Sequence, residues 1–255
     1  MSSSSDLYYE EYGSGDDVIV LVHGFLSSSR YWKRLRPYLV TAGYRVVVID
    51  LLGFGQAAKS RSDEYSYDDQ VAYLDQIVKC LGLSNPFHLV GHSMGAVISA
   101  RYALLRPRNI KSLILLHPPL YTSSIQAMQT LENTNAVYRY LLGSRHKDRA
   151  WKILARAFPA VIAAHSPEAR ERSLRNVIAK AELLTDLVKM KTDTLLFVGL
   201  KDRAVYLTNL SKTPVSSSVK VVKENVGHHS VVRQPRLVQK TILHFIENNA
   251  DFVRR

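Results

Sequence analysis

The strongest constraint on the fold is a series of short apolar runs that alternate with helical segments along the chain. The runs are rich in β-branched residues, and they lie at Val18–Val22, Arg45–Ile49, 87–90, 112–116, 194–198 and 219–222. A strand that is apolar at nearly every position is covered on both faces, as in a parallel sheet. Helical spacing of apolar residues predicts helices over 67–81, Met94–Leu105 and about 235–249. This alternation predicts an α/β fold with a doubly wound, mostly parallel sheet.

The long interval between the fourth and fifth runs lacks a convincing strand. Its pattern predicts helices over about 124–142, 148–158 and 167–189. The last of these has a good start, because Ser166 can cap the helix and Pro167 suits its first turn. We therefore expect a core formed by residues 1–119 and 191–255, with a helical cap, or lid, inserted at 120–190.

The cap contains aromatic side chains that could line a substrate pocket or pack the cap against the core. They are Tyr138, Tyr140, Trp151 and Phe158. The sequence does not decide between the two roles for any of them.

The composition is that of an ordinary globular protein. With 46% hydrophobic and 22% charged residues, the chain is neither collagen-like nor wholly disordered. Cys80 is the only cysteine, so an intrachain disulfide is excluded, and we expect a packed thiol rather than a nucleophile. No apolar run approaches the roughly 18 residues of a membrane span, and the first ten residues lack the features of a secretory signal. These observations predict a cytoplasmic protein without a membrane span.

The chain is strongly basic. Its 34 Lys and Arg residues outnumber its 22 Asp and Glu residues, which gives a formal net charge of +12. Such a charge attracts anions at long range. Because no compact basic block or nucleic-acid motif accompanies it, we expect a solvated basic surface and no nucleic-acid partner.

The strongest chemical signal is the pentapeptide Gly91-His92-Ser93-Met94-Gly95. It follows a predicted strand and precedes a predicted helix, which is the context of a nucleophile elbow. Glycines at the flanking positions leave room for the sharp turn, and the Ser93 hydroxyl then projects at the helix N-terminus. The pattern predicts Ser93 as a nucleophile.

A serine hydroxyl needs a general base, and the base needs an orienting acid. Downstream of an elbow serine the expected order is acid, then histidine. Asp202 and His228 each follow a predicted strand, and so both fall at the sheet edge where ligands bind in open α/β sheets. His229 is the rival base and Glu224 the rival acid, and we prefer His228 and Asp202.

The oxyanion formed by nucleophilic attack requires two N–H donors. One is expected from the residue after the serine, Met94, and the other from the loop after the strand Val18–Val22. In that loop Phe25 is the first candidate and Leu26 the second. His23 is expected to shape the loop rather than to take part in the chemistry.

Taken together, these motifs resemble the α/β-hydrolase superfamily over nearly the whole chain. The matching segments are His23-Gly24-Phe25, Asp50-Leu-Leu-Gly53-Phe-Gly55, the pentapeptide around Ser93, Gly199-Leu-Lys-Asp202 and Gly227-His228. The resemblance implies an eight-stranded, mostly parallel sheet, a Ser93–His228–Asp202 triad, and neither a metal nor an organic cofactor. A serine at position 93 argues against the haloalkane dehalogenases and epoxide hydrolases, which use an aspartate nucleophile.

Three functions are compatible with this site. We expect a serine hydrolase that cleaves carboxylic esters of small to medium apolar or aromatic substrates. The alternatives are a hydrolase of a C–C bond in a vinylogous diketone, and a slow-turnover ligand receptor of the same fold. His229 stands where C–C hydrolases often have an aromatic residue, which makes that alternative weaker. The expected partner is a small-molecule substrate, and the oligomeric state stays open.

Overall fold

A seven-stranded sheet forms the centre of the protein. The computed structural model describes residues 7–59, 64–133, 147–157 and 162–253. The strands are β1 (Tyr9–Tyr12), β2 (Val18–Val22), β3 (Arg45–Ile49), β4 (Phe87–His92), β5 (Ile110–Leu116), β6 (Thr194–Gly199) and β7 (Val219–Glu224). Their order is β1-β3-β2-β4-β5-β6-β7, and every neighbouring pair is parallel except β1 with β3. The predicted α/β fold is confirmed, but the expected count of eight strands is wrong for the described part of the chain.

Helices cover both faces of the sheet. The α-helices are α1 (Arg36–Thr41), α2 (Tyr67–Cys80), α3 (Met94–Leu105), α4 (Ser124–Asn133), α5 (Lys147–Ala157), α6 (Pro167–Ser173), α7 (Leu183–Lys189), α8 (Ala204–Ser211), α9 (Ser230–Arg233) and α10 (Pro235–Val253). Short 3₁₀ turns occupy Ser29–Arg34, Gly55–Lys59 and Pro107–Asn109, and a π-helical turn occupies Leu174–Ile178. All six strands and all three helices predicted outside the cap are present.

The alternation of side chains along β2 divides the core into two layers. Ile19 and Leu21 pack into a layer with residues of α1 and α10, such as Leu39. Val20 and Val22 pack into the opposite layer, which includes residues of α2 and α3. Because both faces are covered, β2 is buried at every position.

The segment predicted as a cap contains α4 to α7. The helix expected over 124–142 begins as predicted, but its second half lies outside the described residues. The helix expected over 167–189 is divided by the π-helical turn and by Ala181, whose φ is +57°. The predicted helix N-cap at Ser166 is confirmed, since its side chain accepts a hydrogen bond from the Ala169 N–H at 2.9 Å. The division into core and cap stays a prediction.

The end of this segment lies on the core. Helix α7 packs against α3, and the Arg101 guanidinium of α3 forms an ion pair at 3.2 Å with Asp186 of α7. Further upstream, the Ala163 N–H donates to the Leu26 carbonyl and the Gly55 N–H donates to the Ala164 carbonyl, both at 2.7 Å. Residues 163–164 therefore lie across two core loops.

The structure describes Cys80 and one of the four aromatic residues of the predicted cap. Cys80 ends α2 and is exposed, so the expectation of a packed thiol is wrong. Trp151 of α5 is buried at 4% exposure, whereas Tyr138, Tyr140 and Phe158 lie outside the described residues.

Among the helices that the structure describes, none combines the length and the apolar character needed to cross a bilayer.

Candidate active site

Ser93 occupies a strained turn between β4 and α3. Its φ and ψ angles are 54° and −118°, a backbone conformation that residues other than glycine rarely adopt. The Ser93 N–H donates to the Leu116 carbonyl of β5 at 2.9 Å, which anchors the turn to the neighbouring strand. A Cβ added to Gly91 would lie 2.4 Å from the Gly95 carbonyl oxygen. The turn therefore requires the glycine that the motif supplies.

Asp202 and His228 meet at the same edge of the sheet. Asp202 follows β6 and His228 follows β7, and Asp202 Oδ2 lies 2.7 Å from His228 Nδ1. The other oxygen, Oδ1, accepts the Arg203 N–H at 2.8 Å. Because the carboxylate can only accept, His228 Nδ1 carries the proton, and this tautomer leaves Nε2 with a free lone pair. Nε2 can therefore act as a base.

The surroundings of Asp202 keep it ionised. Burial would raise the pKa of this carboxyl, but interactions with His117 and His228 and the Arg203 N–H outweigh burial and hold the pKa well below its usual range. Asp202 is thus a stable negative charge beside the imidazole of His228.

His117 is a third member of this cluster, and sequence reasoning missed it. It follows β5 with φ of +50°, and its side chain is fully buried. Nε2 lies 2.7 Å from Ser230 Oγ, and Nδ1 lies 3.6 Å from Asp202 Oδ2. Burial is the main cause that lowers the pKa of His117, so the ring is neutral at pH 7. The signal was available, since His117 is a polar residue at the carboxyl end of a central strand.

His92 contacts the backbone of His228, and Tyr31 packs on His92. His92 Nε2 lies 2.9 Å from the His228 carbonyl oxygen, which fixes the proton on Nε2 because a carbonyl only accepts. The ring of Tyr31 stacks on His92 at 4.5 Å between centroids. Burial lowers the pKa of His92 well below its ordinary value, and the charge of a protonated His228 would lower it further. His92, the residue before Ser93, thus joins the serine turn to the His228 loop.

His229 contacts a different group. Its Nδ1 lies 3.2 Å from the hydroxyl of Tyr31. Burial, followed by the neighbouring His228 and Arg233, lowers the pKa of His229 to about 4. The contacts therefore pair His228, and not His229, with Asp202.

The predicted oxyanion donors lie beside Ser93. Ser93 is the N-cap of α3, and its side chain makes no capping hydrogen bond. Met94 is the first residue of that helix, so its N–H lies at the helix N-terminus next to Ser93. The loop after β2 passes close by, because a Cβ on Gly24 would lie 3.0 Å from Ser93 Cβ. Phe25 follows in this loop, and Leu26 has a φ of +63°.

His23 holds this loop in place, as expected. Its Nε2 accepts the Leu51 N–H at 2.9 Å, so Nδ1 carries the proton and donates to the Gly24 carbonyl at 2.7 Å. Its side chain is fully buried, and burial lowers the pKa of the ring. His23 therefore links β2 to the segment after β3.

The same edge of the sheet contains the donor atoms for a metal ion. Within the described residues, one donor atom each from His117, Asp202 and His228 lies within 4.8 Å of the others. Two imidazoles and a carboxylate are ligands that Zn²⁺ prefers.

Comparison with known proteins agrees with the fold. A family model described as the alpha/beta hydrolase fold matches residues 17–142. The chain belongs to the α/β-hydrolase superfamily and is a hydrolase of that class.

Individual relatives resemble the chain over most of its length. Lipase 1 of Psychrobacter immobilis is 27% identical over 253 residues, covering 91% of this chain and 78% of that protein. Monoacylglycerol lipase ABHD6 of Homo sapiens is 27% identical over 253 residues, covering 89% and 74%. The crystal structure of a bromoperoxidase from Bacillus anthracis has a TM-score of 0.72 at 26% identity, covering 94% of this chain and 95% of that one.

Proposed function

We propose that the protein is a serine hydrolase that cleaves carboxylic esters of small to medium apolar or aromatic substrates. The observation that supports this best is the 2.7 Å contact between Asp202 and His228 at the sheet edge that also holds the strained turn of Ser93. Strain at a buried turn persists only where the surrounding structure enforces it, and it is typical of catalytic positions. The two relatives named as lipases support an ester substrate.

Ser93 is the nucleophile in this mechanism. Nε2 of His228 takes the proton from Ser93 Oγ as the oxygen attacks the acyl carbonyl. Asp202 holds the imidazole in the required tautomer and stabilises the imidazolium. His228 then protonates the departing alkoxide, and water hydrolyses the acyl-enzyme by the same steps in reverse.

The N–H groups of Phe25 and Met94 stabilise the oxyanion. They act at the place where negative charge develops, and removal of one such donor costs about 3–4 kcal/mol in transition-state stabilisation. The N-terminus of α3 adds a favourable dipole at the same position. The Ser93 side chain makes no capping hydrogen bond to α3, so the hydroxyl is not engaged at the helix N-terminus.

We also assign residues 120–190 to a cap that selects the substrate. The hydrogen bond from Ala163 to Leu26 supports this, since it links the segment to the loop of the proposed oxyanion donor. A cytoplasmic location is proposed as well, because a chain with one cysteine has no intrachain disulfide to maintain.

The test is hydrolysis of p-nitrophenyl esters across a series of acyl lengths. Ser93→Ala should lower kcat by about 10⁶-fold and leave the circular dichroism spectrum and melting temperature near those of wild type. Ser84→Ala, a change at an exposed serine outside the site, is the matched control and should retain activity. Near-wild-type turnover by Ser93→Ala would refute the mechanism.

The wild-type protein also distinguishes the two alternative functions, C–C bond hydrolysis and ligand binding without turnover. If the wild type cleaves no ester but Ser93 reacts with a fluorophosphonate probe, the nucleophile is competent and the ester assignment is wrong. Turnover of a vinylogous diketone, or tight binding of a small ligand without turnover, would then identify the alternative.

A further inference from the structure

We propose that His117, Asp202 and His228 bind a Zn²⁺ ion that reversibly inhibits hydrolysis. Binding of the ion depends only on these side chains, whereas the inhibition rests on the function proposed above. The site uses a residue, His117, that the hydrolytic mechanism does not require.

The unused nitrogen of His117 is the main evidence. Its side chain is 0% exposed, and Nδ1 has no hydrogen-bond partner among the described residues. A buried polar atom without a partner is costly and calls for an explanation. Nδ1 lies 3.6 Å from Asp202 Oδ2, so it faces the carboxylate from just beyond hydrogen-bond distance. A metal ion at Nδ1 requires the ring tautomer that has its proton on Nε2, the atom beside Ser230 Oγ.

The spacing of the three donor atoms is near that of a metal site. Ligands of a tetrahedral zinc ion, at bonds of about 2.0–2.1 Å, lie about 3.3 Å apart. The observed separations are 3.6 Å from His117 Nδ1 to Asp202 Oδ2 and 2.7 Å from His228 Nδ1 to the same oxygen. One donor atom of each of the three residues lies within 4.8 Å of the other two. No pair needs to change by more than about 1.5 Å, which side-chain movement can supply.

The residues around the cluster would hold the ligands in place. With zinc on Nδ1 of His117, its Nε2–H donates to Ser230 Oγ, which lies 2.7 Å away. Asp202 Oδ1 accepts the Arg203 N–H at 2.8 Å and leaves Oδ2 for the metal. Hydrogen bonds of this kind orient the ligands of zinc sites.

Zinc at this position would remove the catalytic base. His228 coordinates through Nδ1, and the proton of that atom moves by way of solvent to Nε2, so that the ring stays neutral. Nε2 then has no lone pair to accept the proton of Ser93. His228 is 32% exposed at its side chain, which gives the ion a path from solvent.

Binding is measured first, in a protein that cannot turn over. ZnCl₂ is titrated into Ser93→Ala by calorimetry, and into the same protein with His117→Asn or His244→Asn. Asparagine suits position 117 because it tolerates the positive φ found there. His244 is an exposed histidine of α10 and serves as the matched control for adventitious surface binding.

We expect one Zn²⁺ per chain, binding at least about 10-fold weaker with His117→Asn and unchanged with His244→Asn. MgCl₂ should not bind, since Mg²⁺ prefers oxygen ligands. If His117→Asn unfolds, as shown by its melting temperature, Ser230→Ala decides, with an expected loss of about 10-fold or more. Absence of zinc binding, or affinity that is the same in all variants, overturns the proposal.

Inhibition is measured second, with the wild type and a p-nitrophenyl ester. ZnCl₂ should inhibit hydrolysis, EDTA should restore it, and the half-inhibitory concentration should rise at least about 10-fold with His117→Asn. Each variant is normalised to its own activity without metal. His117-dependent binding without any ester hydrolysis leaves the zinc site standing and refutes the proposed function. Hydrolysis that is insensitive to bound zinc refutes the inhibition.

Discussion

Two glycines near helix ends illustrate two different reasons for the absence of a side chain. A Cβ on Gly95, in the turn of Ser93, would lie 2.3 Å from the His23 carbonyl oxygen and 2.4 Å from that of Val22. Gly82, after α2, has open space around it but a φ of +62°. We expect Gly95→Ala to lower the free energy of unfolding by about 3 kcal/mol or more, and Gly82→Ala to lower it by about 1 kcal/mol. Urea denaturation measures both.

The comparison separates crowding from backbone strain. At Gly95 the clashing atoms belong to the backbone of β2 and its loop, which cannot rotate away. Equal losses in the two variants would contradict this explanation.

His88 should make the stability of the protein depend on pH, independently of the active site. Burial, followed by the charge of Lys111, lowers the pKa of His88 from 6.5 to about 4, although Asp17 opposes this. Between these two values the unfolded chain binds more protons than the folded one, so stability falls as the pH falls. The contribution of His88 to the free energy of unfolding is fully present above pH 6.5 and is lost by pH 4. It amounts to about 3 kcal/mol.

The test compares wild type with His88→Gln by denaturation at several pH values. The variant should show a smaller loss between pH 6.5 and 4, whatever its stability at pH 7. His244→Gln, at an exposed position, should follow the wild-type curve. Parallel curves for His88→Gln and wild type would show that His88 is not the source.

At the residue scale, chain position was informative only where a motif limited the choices. Asp202 and His228 could be proposed because each follows a strand on the expected side of the sheet, and they lie 2.7 Å apart. Their catalytic roles stay predictions. His117 follows a strand in the same way and could have been included, but its contact with Ser230 could not be predicted. The contact of His92 with the His228 carbonyl could not be predicted either, because it depends on a side-chain direction and on a loop distant in sequence.

Among the elements, the segment around Ala163 should tune the oxyanion loop. The Ala163 N–H donates to the Leu26 carbonyl at 2.7 Å. Ala163→Pro removes this donor, so the loop that holds Phe25 should become less well placed. We expect kcat for ester hydrolysis to fall by up to about 100-fold, since a misplaced donor loses part of its transition-state stabilisation. Steady-state kinetics on a p-nitrophenyl ester give kcat and KM separately.

Ala163→Gly is the matched control because it shortens the side chain and keeps the N–H. It should retain most of the activity. An unchanged kcat in Ala163→Pro, with the fold intact, would show that the segment does not position the loop.

Strands could be predicted from the sequence where both of their faces are buried. The continuous apolar runs of β2 to β6 show this pattern directly, and β2 is buried at every position. Strand β1 was missed because Tyr-Glu-Glu-Tyr is short and charged, as suits an edge strand that pairs on one side only. The π-helical turn at Leu174–Ile178 was also missed, since helical periodicity hardly changes across one such turn.

At the scale of the whole molecule, the order of motifs predicted the fold class. The resemblance implied eight strands, whereas the described residues form seven. The order works because parallel strands place their carboxyl ends at one edge, so residues distant in sequence converge there. The path of the inserted helices depends on packing against the loops after β2 and β3, which no local pattern records.

The net charge of +12 should favour anionic substrates at low salt. A basic protein raises the local concentration of anions near its surface, and salt screens this attraction beyond about 10 Å at 0.1 M. For a p-nitrophenyl ester of glutaric acid, whose free carboxyl is ionised, kcat/KM should fall by roughly 2–10-fold between 0.02 and 0.5 M NaCl. The neutral valerate ester of similar length should change much less. If both esters respond equally to salt, the charge is distributed away from the entrance to the site, and the basic surface has no part in substrate selection.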